Sequence, residues 1–239
     1  MITEAADPAR YRGGMIQSLL FDFDGTLWDS ETVVFEAYRR MYDDHGHTLG
    51  LEEWAAAVGT LDGFDPMADL ELRLGRALDR SVVDPWERID DLMVGIDLRP
   101  GVREWLDDAR DRGLTLGIVS SNDGRWIRHH LDRLGIGDRW GAIAAADGDA
   151  GRAKPNPLLY REALAELGVD ASRAIAVEDS PHGIAAAKAA GLFCLAVPNE
   201  VTQTLDLTAA DLVIGSFRDL TLADLLVVAT DGRSGRAGD

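Results

Sequence analysis

The segment Phe21-Asp22-Phe23-Asp24-Gly25-Thr26-Leu27 sets two carboxylates two positions apart, directly after the apolar run Leu19–Phe21. On a strand such side chains share a face. Held together away from water they repel, until one takes a proton or a cation lies between them. Gly25 then allows the backbone to turn sharply. A solvated acidic turn would carry the same pair, but no apolar run would feed it. Three further clusters follow. Ser120-Ser121-Asn122-Asp123-Gly124 offers hydroxyls and free N–H groups at a helix start, which suit a phosphoryl oxygen and equally suit an ordinary helix cap. Lys154-Pro155-Asn156-Pro157 puts a lysine just ahead of a helix, with Asn156 as N-cap and Pro157 as first residue. Val177-Glu178-Asp179-Ser180-Pro181 adds two carboxylates before a helix capped by Ser180. Hard oxygen ligands favour Mg²⁺, leaving a lysine and a hydroxyl for a phosphate. The set suits phosphoryl transfer through an aspartyl-phosphate intermediate.

These residues need a scaffold that brings four chain segments to one edge. Apolar runs at Ser18–Asp24, Leu114–Ser120, Ala174–Glu178 and Phe193–Val197 have the character of buried parallel strands, with weaker candidates at Ala142–Ala146 and Asp211–Gly215. Between them Val102, Trp105, Leu106 and Ala109 follow helical spacing, as do Leu159, Ala163, Leu164 and Leu167. The alternation predicts an α/β fold with a doubly wound, mainly parallel sheet, in which ligands sit at the carboxyl ends of the strands. Each chemical cluster falls at such an end.

The pattern changes between residues 28 and 98, where Thr32–Asp44, Glu52–Val58, Met67–Leu78 and Trp86–Val94 all have helical spacing. The expected organisation is a loose N-terminal extension at 1–14, a catalytic core at 15–27 and 99–229, a helical cap domain at 28–98, and a disordered tail at 230–239.

Composition limits the partners. The 239 residues carry 24 Lys plus Arg against 42 Asp plus Glu, a net charge of −18, which excludes a nucleic-acid or anionic-membrane surface. No run reaches the ~18 apolar residues of a membrane span. Residues 1–14 lack a signal-peptide core, and a lone Cys194 permits no internal disulfide. A cytoplasmic protein, monomeric or a small homo-oligomer, is expected. Lys154 and Lys188 are the only lysines.

With these four motifs in order over residues 15–228, the chain resembles the haloacid dehalogenase superfamily, in the branch with a helical cap inserted after the first strand and, within it, the β-phosphoglucomutase and sugar-phosphatase-like members. The resemblance implies a Rossmann-like core and Mg²⁺ as cofactor. It implies Asp22 as nucleophile and Asp24 as general acid/base, with both on the metal, Asp24 through its carbonyl. Asp179 is implied as a further ligand, Glu178 as a ligand or the partner of one, and Ser120 and Lys154 as phosphate-binding, with Ser121 and Asn122 beside them. The expected activity is hydrolysis of a small phosphorylated metabolite such as a sugar phosphate.

Alternatives within the resemblance differ at single residues. Dehalogenases lack the second aspartate, which Asp24 supplies here. Phosphonate hydrolases use a cap lysine, and residues 28–98 contain none. β-Phosphoglucomutases share all four motifs, but Val34 stands where they have a cap histidine, and Asp62 where they have a cap arginine. A phosphosugar mutase is therefore the alternative, and a non-catalytic binding protein of the same fold a remote one. Trp28, Glu31, Arg39, Trp54 and Arg73 are the cap residues that could line the site, although each has an ordinary packing or surface role open to it.

Overall fold

The computed structural model describes residues 15–55, 58, 64–79, 89 and 92–234. Six strands form one parallel sheet: β1 Ser18–Phe21, β2 Thr115–Ser120, β3 Ala142–Ala145, β4 Ala174–Glu178, β5 Phe193–Ala196 and β6 Leu212–Val213, in the order β3-β2-β1-β4-β5-β6. β1 is central, with Leu19 level with Leu116 on one side and Ile175 on the other. The strand order reverses beside β1, so a crevice opens at its carboxyl end.

Strand alternation sorts the core into two layers. Leu19, Phe21, Ile118, Ile175, Val177 and Leu195 face one way, against α4 Val102–Asp111, α5 Gly124–Arg133 and α8 Leu222–Ser234. Leu20, Val119, Ala176 and Cys194 face the other, against α6 Leu158–Leu167 and α7 Pro181–Ala189. Both faces are covered, as the unbroken apolar strands required.

Between β1 and α4 lie α1 Ser30–Asp44, α2 Leu51–Ala55 and α3 Pro66–Leu74. The chain leaves and returns side by side, because Trp28 bridges Leu98 and the Arg99 N–H donates to the Leu27 carbonyl at 2.8 Å. α1 starts two residues before the expected Thr32, since Asp29 caps it by accepting from the Thr32 N–H. α3 ends at Leu74 rather than Leu78, because Gly75 takes a left-handed conformation at φ 65° that stops the helix. Most of the expected helix Trp86–Val94 lies outside the described residues, as do residues 1–14 and Asp62.

Other expected boundaries shift at strand and helix ends. β1 stops at Phe21, not Asp24, and β6 is two residues long. α6 opens at Leu158, with the Asn156 side chain accepting from the Leu158 N–H at 2.9 Å. α8 continues to Ser234, through the positions where a tail was expected from residue 230, and residues 235–239 lie outside the description. No helix among the described residues is long and apolar enough to cross a membrane.

Candidate active site

Asp22 sits one residue beyond β1, still anchored because its N–H donates to the Val177 carbonyl at 2.9 Å. Asp24 has already left the sheet. Its turn depends on Gly25, at φ 79°, a region that disfavours residues with a side chain. A Cβ there would also lie 2.5 Å from Asp179 Oδ2, 2.7 Å from Asn199 Nδ2 and 3.0 Å from Glu31 Cγ. The backbone therefore passes close beneath three polar groups that no larger residue would tolerate.

Asp24 is held by its side chain. Ser30 Oγ donates to Oδ1 at 2.9 Å, Trp126 Nε1 to the same oxygen at 3.2 Å, and Asn122 Nδ2 to Oδ2 at 3.1 Å. Its carboxyl is nevertheless pushed up to about 6, by burial first and then by the charge of Asp22, against the lowering effect of these three donors. A carboxyl in that range carries or releases a proton near neutrality.

β4 delivers Glu178 and, one residue on, Asp179. Asp22, Glu178 and Asp179 each offer one oxygen within 4.8 Å of the others, and all three are buried. Lys154, from the loop before α6, donates both to Asp22 Oδ1 and to Glu178 Oε1, the latter at 2.7 Å. Burial works against the lysine's charge, but Asp22 and Glu178 outweigh it and hold its pKa above the ordinary range. Glu178 Oε1 also accepts from the Tyr160 hydroxyl at 2.6 Å, whereas Oε2 is buried with no hydrogen-bond partner among the described residues. Burial raises Glu178 to about 7, and it raises Asp179 well above the usual carboxylate range, with Asp22 and Glu178 adding repulsion. Asp179 is oriented by Asn199 Nδ2 at 2.7 Å and by Thr26 Oγ1 at 3.4 Å.

One lysine faces more buried carboxyls than it can neutralise. Residual repulsion, the unpartnered Glu178 oxygen and an all-oxygen donor set fit a hard divalent cation held by Asp22, Asp179 and Glu178.

Of the expected phosphate-binding residues, Ser120 is buried at the end of β2, with its hydroxyl accepting from the Asn122 N–H at 3.0 Å. Ser121 Oγ accepts from the Lys154 N–H at 3.2 Å, and Asn122 spends its side-chain amide on Asp24. These two residues thus tie down Lys154 and Asp24. Of the cap candidates, Trp28 is fully buried, Trp54 packs at a tilt against Phe35 and Tyr38, Arg39 pairs with Glu36 and Asp43, and Arg73 pairs with Glu53 and Asp69. Val34 is half-buried against the apolar cluster.

Glu31 behaves differently. Burial pushes its carboxyl up to about 8, helped by Asp24, Asp22 and Asp29, and it makes no hydrogen bond among the described residues. Trp126, Tyr160, Asn199 and Arg99 went unforeseen. Arg99 donates to the carbonyls of Gly25 and Val197 at 2.7 Å and of Pro198 at 2.6 Å, lashing the turn after β1 to the loop after β5. The segment Val197-Pro198-Asn199 directly follows a fifth strand, and that position was the available signal for Asn199.

Comparisons with known proteins show the family. The chain is 40% identical to YhcW of Bacillus subtilis over 214 residues, covering 89% of this chain and 97% of that protein. It is 32% identical over 213 residues to the validoxylamine A 7′-phosphate phosphatase of Streptomyces hygroscopicus subsp. limoneus, covering 87% and 95% of the two chains. The crystal structure of CbbY from Rhodobacter sphaeroides in complex with phosphate superimposes with a TM-score of 0.70 at 32% identity, covering 88% of this chain and 99% of that one. Residues 16–191 match the haloacid dehalogenase-like hydrolase family, and the chain belongs to it.

Proposed function

We propose that the protein is a Mg²⁺-dependent phosphatase of small phosphorylated metabolites, acting through an aspartyl-phosphate on Asp22. The observation that carries this reading is the pairing of Asp22, gripped by Lys154, with a second aspartate, Asp24, raised to about 6. Two neighbouring carboxyls with separated roles are what an acid–base and nucleophile division requires. The similarity to a named phosphatase and to a phosphate-bound CbbY supports the substrate class.

An oxygen of Asp22 forms a bond to phosphorus as the ester P–O bond breaks, and Asp24 gives its proton to the departing oxygen. Water then attacks the phosphorus, its proton passes to Asp24, and the Asp22 carboxylate is released with inorganic phosphate. Lys154 holds Asp22 in place and offsets negative charge, while Ser120 stands at the end of β2 for a phosphoryl oxygen. Asp22, Asp179 and Glu178 would hold Mg²⁺, with the Asp24 carbonyl as a further ligand. The metal when bound neutralises charge on the phosphoryl group. Residues 15–27 and 99–229 act as the catalytic core, and residues 28–98 as a cap that excludes bulk water and large substrates.

A panel of sugar, polyol and carboxylate monophosphates, assayed with Mg²⁺ and with EDTA, tests the reading. Phosphate release that depends on Mg²⁺ is expected. Glucose 6-phosphate formed from β-glucose 1-phosphate and a bisphosphate primer faster than free phosphate would replace hydrolysis with mutase activity. Mg²⁺ binding without turnover of any panel member would reduce the protein to a binding module.

A further inference from the structure

Because β1 ends at Phe21, only an isolated bridge to Trp28 pairs the backbone at Asp24, and its carboxyl is placed by donors from three segments. Two are the start of α1 and the loop after β2. The third is an indole. Trp126 stands in the first turn of α5 and aims its N–H at Asp24 Oδ1, 3.2 Å away.

The indole is itself clamped. The His130 ring lies 4.1 Å from it, edge to face, and the Trp28 ring 6.1 Å away, while His130 and Trp28 are 4.4 Å apart. His130 is buried, its Nδ1 accepts from Arg133 Nε at 3.2 Å, and its pKa is pushed down to about 4 by burial, then by Arg133 and His129. The ring stays neutral and adds no cation beside Asp24. A tryptophan that only filled space would have no reason to direct its N–H onto this oxygen. An indole N–H donates and cannot accept, so it fixes the oxygen without competing for the carboxyl proton.

Resting on the assignment of Asp24 as acid and base, we propose that Trp126 is a positioning residue for Asp24, with its ring held in register by Trp28 and His130. It aims the carboxyl at the departing oxygen. The contribution is therefore largest for leaving groups that need a proton and smallest for those that do not.

The test compares phenyl phosphate, a poor leaving group, with p-nitrophenyl phosphate, a good one, in wild type and Trp126→Phe, which keeps an aromatic ring and removes the donor. The expected result is a kcat/KM loss of about tenfold on phenyl phosphate, the scale of one hydrogen bond to a charged group. This ratio reports the step in which the leaving group departs and not the later hydrolysis common to both substrates. On p-nitrophenyl phosphate kcat/KM stays within about twofold. Equal losses on the two substrates, or no loss on either, would overturn the proposal. Asp22→Asn separates the two levels of the account. Turnover by that variant contradicts the wider mechanism, whereas an inactive Asp22→Asn beside equal losses in Trp126→Phe removes only the role of Trp126. If Trp126→Phe does not fold, indole N–H spectra of wild type and Asp24→Asn decide instead. One of the six tryptophan signals moves if the bond exists, and none moves if it does not.

Discussion

Lys154 and Glu178 form an ion pair of 2.7 Å in which neither side chain retains more than 1% exposure, and the same ammonium grips Asp22. One of the chain's two lysines therefore joins the ends of β1 and β4 at the site.

Removing that lysine leaves two carboxylates buried without their counter-charge. Lys154→Met is expected to lower unfolding free energy by about 3–5 kcal/mol in metal-free protein. The double variant Lys154→Met, Glu178→Gln should recover part of the loss, since one of the stranded charges is gone. Denaturant titration of the single and double variants measures both. A single variant as stable as wild type would show that the pair has no stabilising role.

Gly183 lies against the Glu178 carboxyl so closely that a Cβ would collide with both of its oxygens. Gly183→Ala should displace Glu178, costing about 1–3 kcal/mol of stability and weakening Mg²⁺ binding together. Calorimetric titration with Mg²⁺ on the folded variant checks the second effect. Unchanged affinity would mean that the position of Glu178 does not matter to the metal.

The raised carboxyls make a statement about pH. Asp24, Glu178 and Glu31 reach about 6, 7 and 8 in the folded protein, each above its ordinary value. Folded protein thus binds more protons than unfolded protein, and the stability these groups contribute is lost as pH rises through their folded values. Metal-free protein should melt at a higher temperature at pH 6 than at pH 8, and Mg²⁺ should shrink that difference. Melting curves at both pH values with Mg²⁺ or EDTA give the answer. Greater stability at pH 8 without metal would contradict the burial of these acids.

Glu31 makes no hydrogen bond among the described residues and lies near enough to Asp24 and Asp22 for their charges to raise its pKa, so a substrate hydroxyl is its expected partner. Glu31→Ala is expected to reduce kcat/KM about tenfold on a hydroxylated sugar phosphate, the scale of one such bond, and far less on p-nitrophenyl phosphate. Parallel losses on the two would assign Glu31 to the chemistry common to both.

Much of this site was legible because strand ends are legible. Asp22, Ser120 and Glu178 close or follow apolar runs that could only be buried strands, and in a parallel sheet those ends converge. Lys154 stood out chemically, as a lysine in an arginine-using chain. Asp24 was misplaced by a strand drawn three residues too long: Gly25 marked the turn, but the run gives no sign that strand pairing already stops at Phe21. Trp126, Tyr160 and Arg99 were hidden for a different reason. Each acts from a helix or loop through a contact 18 to 102 residues away in sequence, and helical spacing cannot distinguish a ring that fills space from one whose N–H or O–H meets a carboxyl. Glu31 was legible only as one of five cap candidates, because its place in an ordinary acidic first turn does not set it apart from the other four.

The central claim is that Asp22 itself takes the phosphoryl group. Rapid acid quench during turnover of a substrate from the panel, followed by peptide mass analysis, tests it directly. Phosphate on the peptide containing Asp22, absent in Asp22→Asn together with turnover, is the predicted result. Continued turnover by Asp22→Asn, with no phosphorylated peptide at any quench time in wild type, would contradict it.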